Sequence, residues 1–272
     1  SGMVVTENLN GDRTYTIALY DDLKYSDGTP ITARDYAFAI LLSIAPEVSL
    51  ITARVLDPEG NDIGQLDRAI AFAAEQGAHI ILMPITILTP EPSDHYADAV
   101  QSQIMASYSQ QVKMFIGAQG RGRHHSHRFP GYLRGVYNIA GVNRQGSHSL
   151  NSTNNDLNFI SAPCDNIPGI ETQGDWTNFS GTSWSSAHAA GVVALMLSVN
   201  PFLNNVEIEE ILISTAQDKG VFGRDIYYGW GLIDCYQSVK KAKDIIYLDI
   251  ITDSLNYQYH PYNNDLGHIL KW

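Results

Sequence analysis

The feature that most constrains the fold of this chain is the alternation of short apolar segments with amphipathic ones. Mostly apolar runs occur at 79–85, 112–118 and 135–143, and segments with helical periodicity precede the first two at 65–78 and 96–111. Strands that alternate with helices of 10–15 residues are typical of βαβ units, whose parallel strands are covered on both faces. The sequence therefore predicts an α/β fold with a mostly parallel sheet, in which 48–56 is a further strand.

Segments outside this core also have recognisable patterns. The run 185–200 is apolar around its whole circumference, which predicts a central, buried helix. The segment 206–216 is amphipathic and is expected to form a helix outside it. Residues 14–20 are β-branched and aromatic and predict a strand, and 33–43 predicts a helix.

Charge and hydropathy exclude several classes of protein. The 272 residues include 17 Lys and Arg against 29 Asp and Glu, a formal charge of −12. An acidic surface of this kind argues against a nucleic-acid partner. No run approaches the ~20 apolar residues of a membrane span, and the first residues lack the pattern of a signal peptide.

Residues 179–191, FSGTSWSSAHAAG, contain the strongest local indication of chemistry. Gly181 and Thr182 lead into the buried helix and place Ser183 at its N-terminus. Backbone N–H groups at a helix N-terminus stabilise negative charge, which suits a nucleophile and its oxyanion. The alternative interpretation is that Ser183 only caps the helix.

Several segments in the same order resemble the subtilisin-like serine proteases over about 44–245. SGTSWSSAHAAGVVAL is similar to that family's nucleophile motif, GTSMAxPHVAG. The strands and helices of 48–143, LNFISAPC before the nucleophile, and YYGWGLIDCYQSVKKA at 227–242 resemble further family segments. The resemblance implies a three-layer α/β fold, a serine endopeptidase with a peptide or protein substrate and no cofactor, and an extracellular or cell-envelope location.

The chain departs from this family at the residues that accompany the serine. The resemblance implies a triad in the chain order Asp, His, Ser, but Ala33 stands where the histidine motif is expected. Asp21 is the candidate acid, although its surroundings do not match the family's motif. Arg121 replaces the oxyanion asparagine, so the oxyanion region consists of Arg121, Thr182 and Ser183. We therefore expect an impaired peptidase, with a non-catalytic peptide-binding protein as the alternative.

A second resemblance covers the N-terminal part of the chain. DRTYTIALYDDLKYSDGTPITARDYAFAILLS, at 12–43, is similar to peptide-binding solute-binding proteins of ABC transporters. These resemblances divide the chain into a solute-binding-like segment at 1–43, a subtilisin-like domain at 44–245 and an unassigned tail at 246–272. The N-terminal part of the protease fold is thus expected to be truncated or replaced.

The remaining histidines and cysteines have structural and functional interpretations. His188, on the buried helix, is expected to be structural. His124, His125 and His127 form a solvated loop or supply a substitute base, and a metal site is not expected without a nearby carboxylate. Cys164 and Cys235 are expected to be buried free thiols, with a single disulfide as the alternative.

Overall fold

The structure is a computed structural model that describes residues 3–7, 13–17, 37–53, 55, 64–86, 93–120, 127–170 and 176–245. Its helices are α1 (Ala37–Ile44), α2 (Leu66–Glu75), α3 (Asp94–Tyr108), α4 (Thr182–Val199), α5 (Asn205–Thr215) and α6 (Cys235–Asp244). Its strands are β1 (Met3–Glu7), β2 (Arg13–Ile17), β3 (Ile80–Met83), β4 (Met114–Ala118), β5 (Val136–Val142), β6 (Asn158–Pro163), β7 (Ile167–Ile170) and β8 (Trp176–Phe179).

The core is a four-stranded sheet in the order β3-β4-β5-β6. Every pair in it is parallel, with Ile80 opposite Met114, Phe115 opposite Val136 and Ile139 opposite Ile160. Helix α3 connects β3 to β4, and all residues of β4 are buried. Both observations agree with the predicted parallel sheet covered on both faces. The hairpins β1-β2 and β7-β8 are antiparallel.

Successive residues of β4 show how the sheet separates two helical layers. Met114 and Ile116 pack in a cluster with α4, α5 and α6, whereas Phe115 packs in another cluster with α2 and α3. This alternation follows from the two-residue period of a strand. The fold is therefore the three-layer α/β architecture that the sequence predicts.

Helix α4 is the central helix of the molecule. Its buried residues lie around the whole helix and include Ser185, Ala189, Ala190 and Val193. It contacts α1 on one side and the sheet on the other. The predicted helix at 185–200 is thus confirmed and begins three residues earlier.

The predicted strand at 48–56 is wrong for the residues that the structure describes. Residues 48–53 and 55 form no strand, and the side chains of Leu50 and Ile51 are exposed. An apolar, β-branched run forms a strand only where it pairs with another strand. In this segment Val48 packs against one core cluster and Val55 against the other. The described residues between them form an irregular connection.

Candidate active site

Ser183 lies in the first turn of α4, as its sequence predicts. The residue before the helix, Gly181, has a φ of 153°, in a region that favours glycine. Its N–H donates to the carbonyl of Cys164 at 2.9 Å, which fixes the entry to the helix beside the end of β6. The first N–H groups of α4 lack carbonyl partners within the helix and favour negative charge at this point.

The hydroxyl of Ser183 donates to the backbone carbonyl of Pro84 at 2.7 Å. Pro84 directly follows β3, so the bond joins the N-terminus of α4 to the carboxyl end of the edge strand. The Ser183 carbonyl in turn accepts from the Ser186 hydroxyl at 2.8 Å. The serine proton is therefore directed at a carbonyl oxygen in this arrangement. Sequence reasoning missed Pro84, whose only sequence indication is its place at the end of an apolar run.

Thr182 ties the end of β4 to the same helix terminus. Its Oγ1 accepts from the N–H of Gly120 at 2.7 Å, and its side chain is 2% exposed. The Gly120 carbonyl accepts from the N–H of Thr153 at 3.2 Å. Thr182 and Ser183 of the predicted oxyanion region thus lie at the start of α4, close to Gly120. Arg121 and Asp21 lie outside the described residues.

None of the five described histidines is hydrogen-bonded to Ser183. His188 makes its bond through Nδ1 to the Trp184 carbonyl at 2.8 Å, which agrees with a structural role. Burial lowers the pKa of the His188 imidazole, because the interior disfavours the charged form. His124 and His125 lie outside the described residues.

His127, from the same histidine loop, pairs with a carboxylate. Its Nε2 lies 2.7 Å from Oδ1 of Asp156, and both side chains are largely exposed. The pairing lowers the pKa of Asp156, because the hydrogen bond favours the carboxylate. Asp156 also holds Arg224, whose guanidinium donates to the Asp156 carbonyl at 2.5 Å.

The two cysteines are free, and no cluster of metal-binding side chains occurs within the described ranges. Cys164 is fully buried, and burial raises the pKa of its thiol to about 12. A Cβ on Gly141 would lie 2.4 Å from the Cys164 sulfur, so Gly141 provides the space for this side chain. Cys164 is therefore a packing residue with no thiolate at neutral pH.

Arg128 is a second residue that sequence reasoning did not single out. A Cβ placed on Gly120 would lie 3.0 Å from Cδ of Arg128 and 3.2 Å from Cγ2 of Thr86. Both side chains therefore pack on the glycine whose N–H is held by Thr182. The indication in the sequence is the basic stretch 121–131, which is unusual in an acidic protein.

Comparison with known proteins gives one family. The profile of the subtilase family, Peptidase_S8, matches residues 23–231. The minor extracellular protease Epr of Bacillus subtilis (strain 168) is 28% identical over 213 residues, which cover 74% of this chain and 32% of Epr. Subtilisin DY of Bacillus licheniformis is 28% identical over 71% of this chain and 69% of its own length.

An intracellular serine protease of Paenibacillus polymyxa is 32% identical over 57% of this chain and 48% of its length. The chain spans about a third of Epr and 51% of a thermostable alkaline protease of Halalkalibacterium halodurans.

Solved structures share the fold. A lanthipeptide protease superposes with a TM-score of 0.71 at 20% identity, over 79% of this chain and 78% of the other. The protease MycP1 of a type VII secretion system superposes with a TM-score of 0.57 at 22% identity, over 70% and 62% of the two chains. No described helix is long and apolar enough to cross a membrane.

Proposed function

Because the chain belongs to the subtilase family, whose profile covers residues 23–231, we propose that it is a serine endopeptidase by descent that engages peptides at Ser183 and whose cleavage is severely impaired. The observation that carries this proposal is the hydrogen bond from the Ser183 hydroxyl to the Pro84 carbonyl at 2.7 Å. A carbonyl oxygen accepts this hydrogen bond but is too weak a base to remove the proton. None of the histidines that the structure describes is hydrogen-bonded to Ser183, which supports a serine without its usual base.

The main reason to expect weak catalysis is that the sequence has no histidine at the position where the family has its catalytic base. A serine hydroxyl is a poor nucleophile until an adjacent base takes its proton. In subtilisin, a member of this family, loss of the catalytic histidine lowers kcat by about 10⁶-fold. Ala33 stands at the histidine position in the family resemblance, and Asp21 is the candidate acid.

The oxyanion region is expected to retain part of its function. The start of α4 offers backbone N–H groups at Ser183, and Thr182 holds Gly120 in place. Arg121 follows Gly120 directly and stands where the family has an asparagine. Its guanidinium is a charge-assisted donor, which is a chemically acceptable replacement for a neutral amide.

The test measures hydrolysis of casein and of a fluorogenic peptide by the full chain and by Ser183→Ala. We expect no turnover above the Ser183→Ala background, together with labelling of Ser183 by a fluorophosphonate at a rate far below that of an active subtilisin. Clear turnover that Ser183→Ala abolishes would overturn the impaired state. His125→Ala and His127→Ala would then identify a substitute base in the histidine loop.

The alternative function is peptide binding without cleavage. It is favoured by the resemblance of 12–43 to solute-binding proteins, although the family match begins inside that segment, at residue 23. Labelling by a fluorophosphonate separates the two functions, since a binding protein needs no reactive serine. For either function we propose a division at 1–43, 44–245 and 246–272, and an extracellular or cell-envelope location like that named for two relatives.

A further inference from the structure

We propose that Arg128 is a carboxylate-binding residue beside Ser183, and that it selects peptides with an aspartate or glutamate side chain close to the bond that faces the serine. This inference rests on the proposed function, because it takes Ser183 as the point at which peptides are engaged.

The contacts of Gly120 link Arg128 to the helix terminus that carries Ser183. On one side, the Gly120 N–H donates to Thr182, the neighbour of Ser183, at 2.7 Å. On the other side, the space that a Cβ of Gly120 would fill is taken by Arg128 and Thr86. Thr86 lies two residues after Pro84, which accepts the Ser183 hydrogen bond. One glycine therefore separates the Arg128 side chain from the helix terminus that carries Ser183.

The position of Arg128 is held by its chain neighbours. Phe129 is 2% exposed and packs in the cluster of α2 and α3, with its ring 5.7 Å from that of Tyr96. The Arg128 carbonyl accepts from the Tyr132 N–H at 3.0 Å. Because the backbone is fixed in this way, binding of a ligand by the side chain does not have to order the backbone as well.

The guanidinium of Arg128 has no anionic partner within the described part of the chain. Its Nε is buried and makes no hydrogen bond. The ion pair formed by described residues is that of His127 with Asp156, and Arg128 takes no part in it. Arg128 as a whole is partly buried, and a buried N–H without a partner costs free energy, so such groups in native proteins require an explanation.

A carboxylate of the bound peptide is the ligand that this donor fits. Guanidinium groups bind carboxylates through two parallel hydrogen bonds, a geometry that neither an amide nor an alkyl side chain reproduces with equal strength. The chain carries an excess of 12 negative charges, so an unpaired cation at this place is not explained by general surface composition. Peptides with Asp or Glu near the serine are therefore the substrate class that the site is expected to take.

The experiment measures binding of fluorescent peptides to the full chain carrying Ser183→Ala, by fluorescence anisotropy. The peptides share one neutral sequence, through which a single Glu, Gln, Leu or Lys is moved position by position. At one position we expect the Glu peptide to bind about tenfold or more tightly than the Gln peptide, which has the same shape. The difference should shrink at high salt.

Variants of the arginine assign the preference to its side chain. Arg128→Gln is expected to remove the difference between Glu and Gln peptides, and Arg128→Lys to retain part of it, because the charge remains but the fork is lost. Arg134→Gln, an exposed arginine on the same connection, is the matched control and should leave the preference unchanged. Thermal unfolding of each variant establishes that it is folded.

Three results would overturn the inference. If Glu and Gln peptides bind equally at every position, Arg128 does not select carboxylates, and the proposed function stands. If the preference persists in Arg128→Gln, another residue carries it. If no peptide binds and a fluorophosphonate does not label Ser183 in the parent chain, the proposed function fails and this inference fails with it.

Discussion

The hydroxyl of Thr182 joins the start of α4 to the segment that follows β4, because it accepts the Gly120 N–H. Thr182→Val removes the acceptor of the buried Gly120 N–H without changing side-chain shape. We expect a loss of about 1–3 kcal/mol in the free energy of unfolding, because the N–H is left without a partner. Urea denaturation measures this loss. Thr182→Ser keeps the hydroxyl and should cost less, and equal losses in both variants would show that the methyl group matters instead.

His188 makes folding stability depend on pH. Its pKa in the folded chain lies below its usual value of 6.5, so the unfolded chain takes up the proton first as the pH falls. The contribution of the neutral imidazole is complete above about pH 6.5 and is lost as the pH falls through and below that value. We therefore expect the free energy of unfolding to fall between pH 7 and pH 5, and His188→Gln to flatten this fall.

Denaturant unfolding at several pH values measures the slope. His95→Gln is the matched control, because His95 is exposed at the start of α3. Equal slopes in the parent chain and in His188→Gln would contradict this prediction.

At the scale of elements, the contact between α1 and α4 depends on one glycine. A Cβ on Gly191 would lie 2.8 Å from Cβ and Cγ2 of Ile44. At an uncrowded helical position, alanine in place of glycine stabilises by about 1 kcal/mol. For Gly191→Ala we expect the opposite sign, a loss of about 1–3 kcal/mol from overpacking. A thermal melt decides the sign, and a raised midpoint would mean that α1 moves aside without cost.

The elements predicted correctly are those whose own residues carry the apolar pattern of a buried strand or helix. The apolar runs at 79–85 and 112–118 became β3 and β4, and the all-round apolar run became α4. The segment 48–56 has a similar composition, but its state depends on pairing with another strand, which no local pattern encodes. The hairpin β7-β8 was missed for the same reason, since β7 contains Pro168 and Gly169, which are rare in strands and give no local strand pattern.

The residues of the site also include one that a local pattern predicts and others that no local pattern predicts. Ser183 could be placed from the small residues that open an apolar helix. Pro84 and Arg128 could not, because their places depend on contacts between distant segments. Ser183 bonds to Pro84 across 99 residues, and Gly120, on which Arg128 packs, bonds to Thr182 across 62.

For the molecule as a whole, α6 closes the core and marks where the folded domain is expected to end. Asn200 donates to the carbonyls of Ala242 and Ile245 at 3.0 and 3.1 Å, and Ala242 is fully buried. We expect a chain ending at residue 245 to unfold at the same temperature as the full chain. A chain ending at 234 lacks α6 and should not fold, because it exposes the α4–α6 cluster.

Circular dichroism and thermal melts of the two truncated chains provide the measurement. A large loss of stability in the chain ending at 245 would show that 246–272 is part of the domain and not a tail.

The bond from Ser183 to Pro84 also has a consequence for the order in which the chain folds. It closes a loop of 99 residues, and the bond from Gly120 to Thr182 closes one of 62. Closing such long loops costs entropy that local helices do not, so these contacts are expected to form late, after β3 and β4 are paired. A chain emerging from the ribosome is therefore expected to assemble the surroundings of Ser183 only after α4 has been synthesised and docked against β3 and β4.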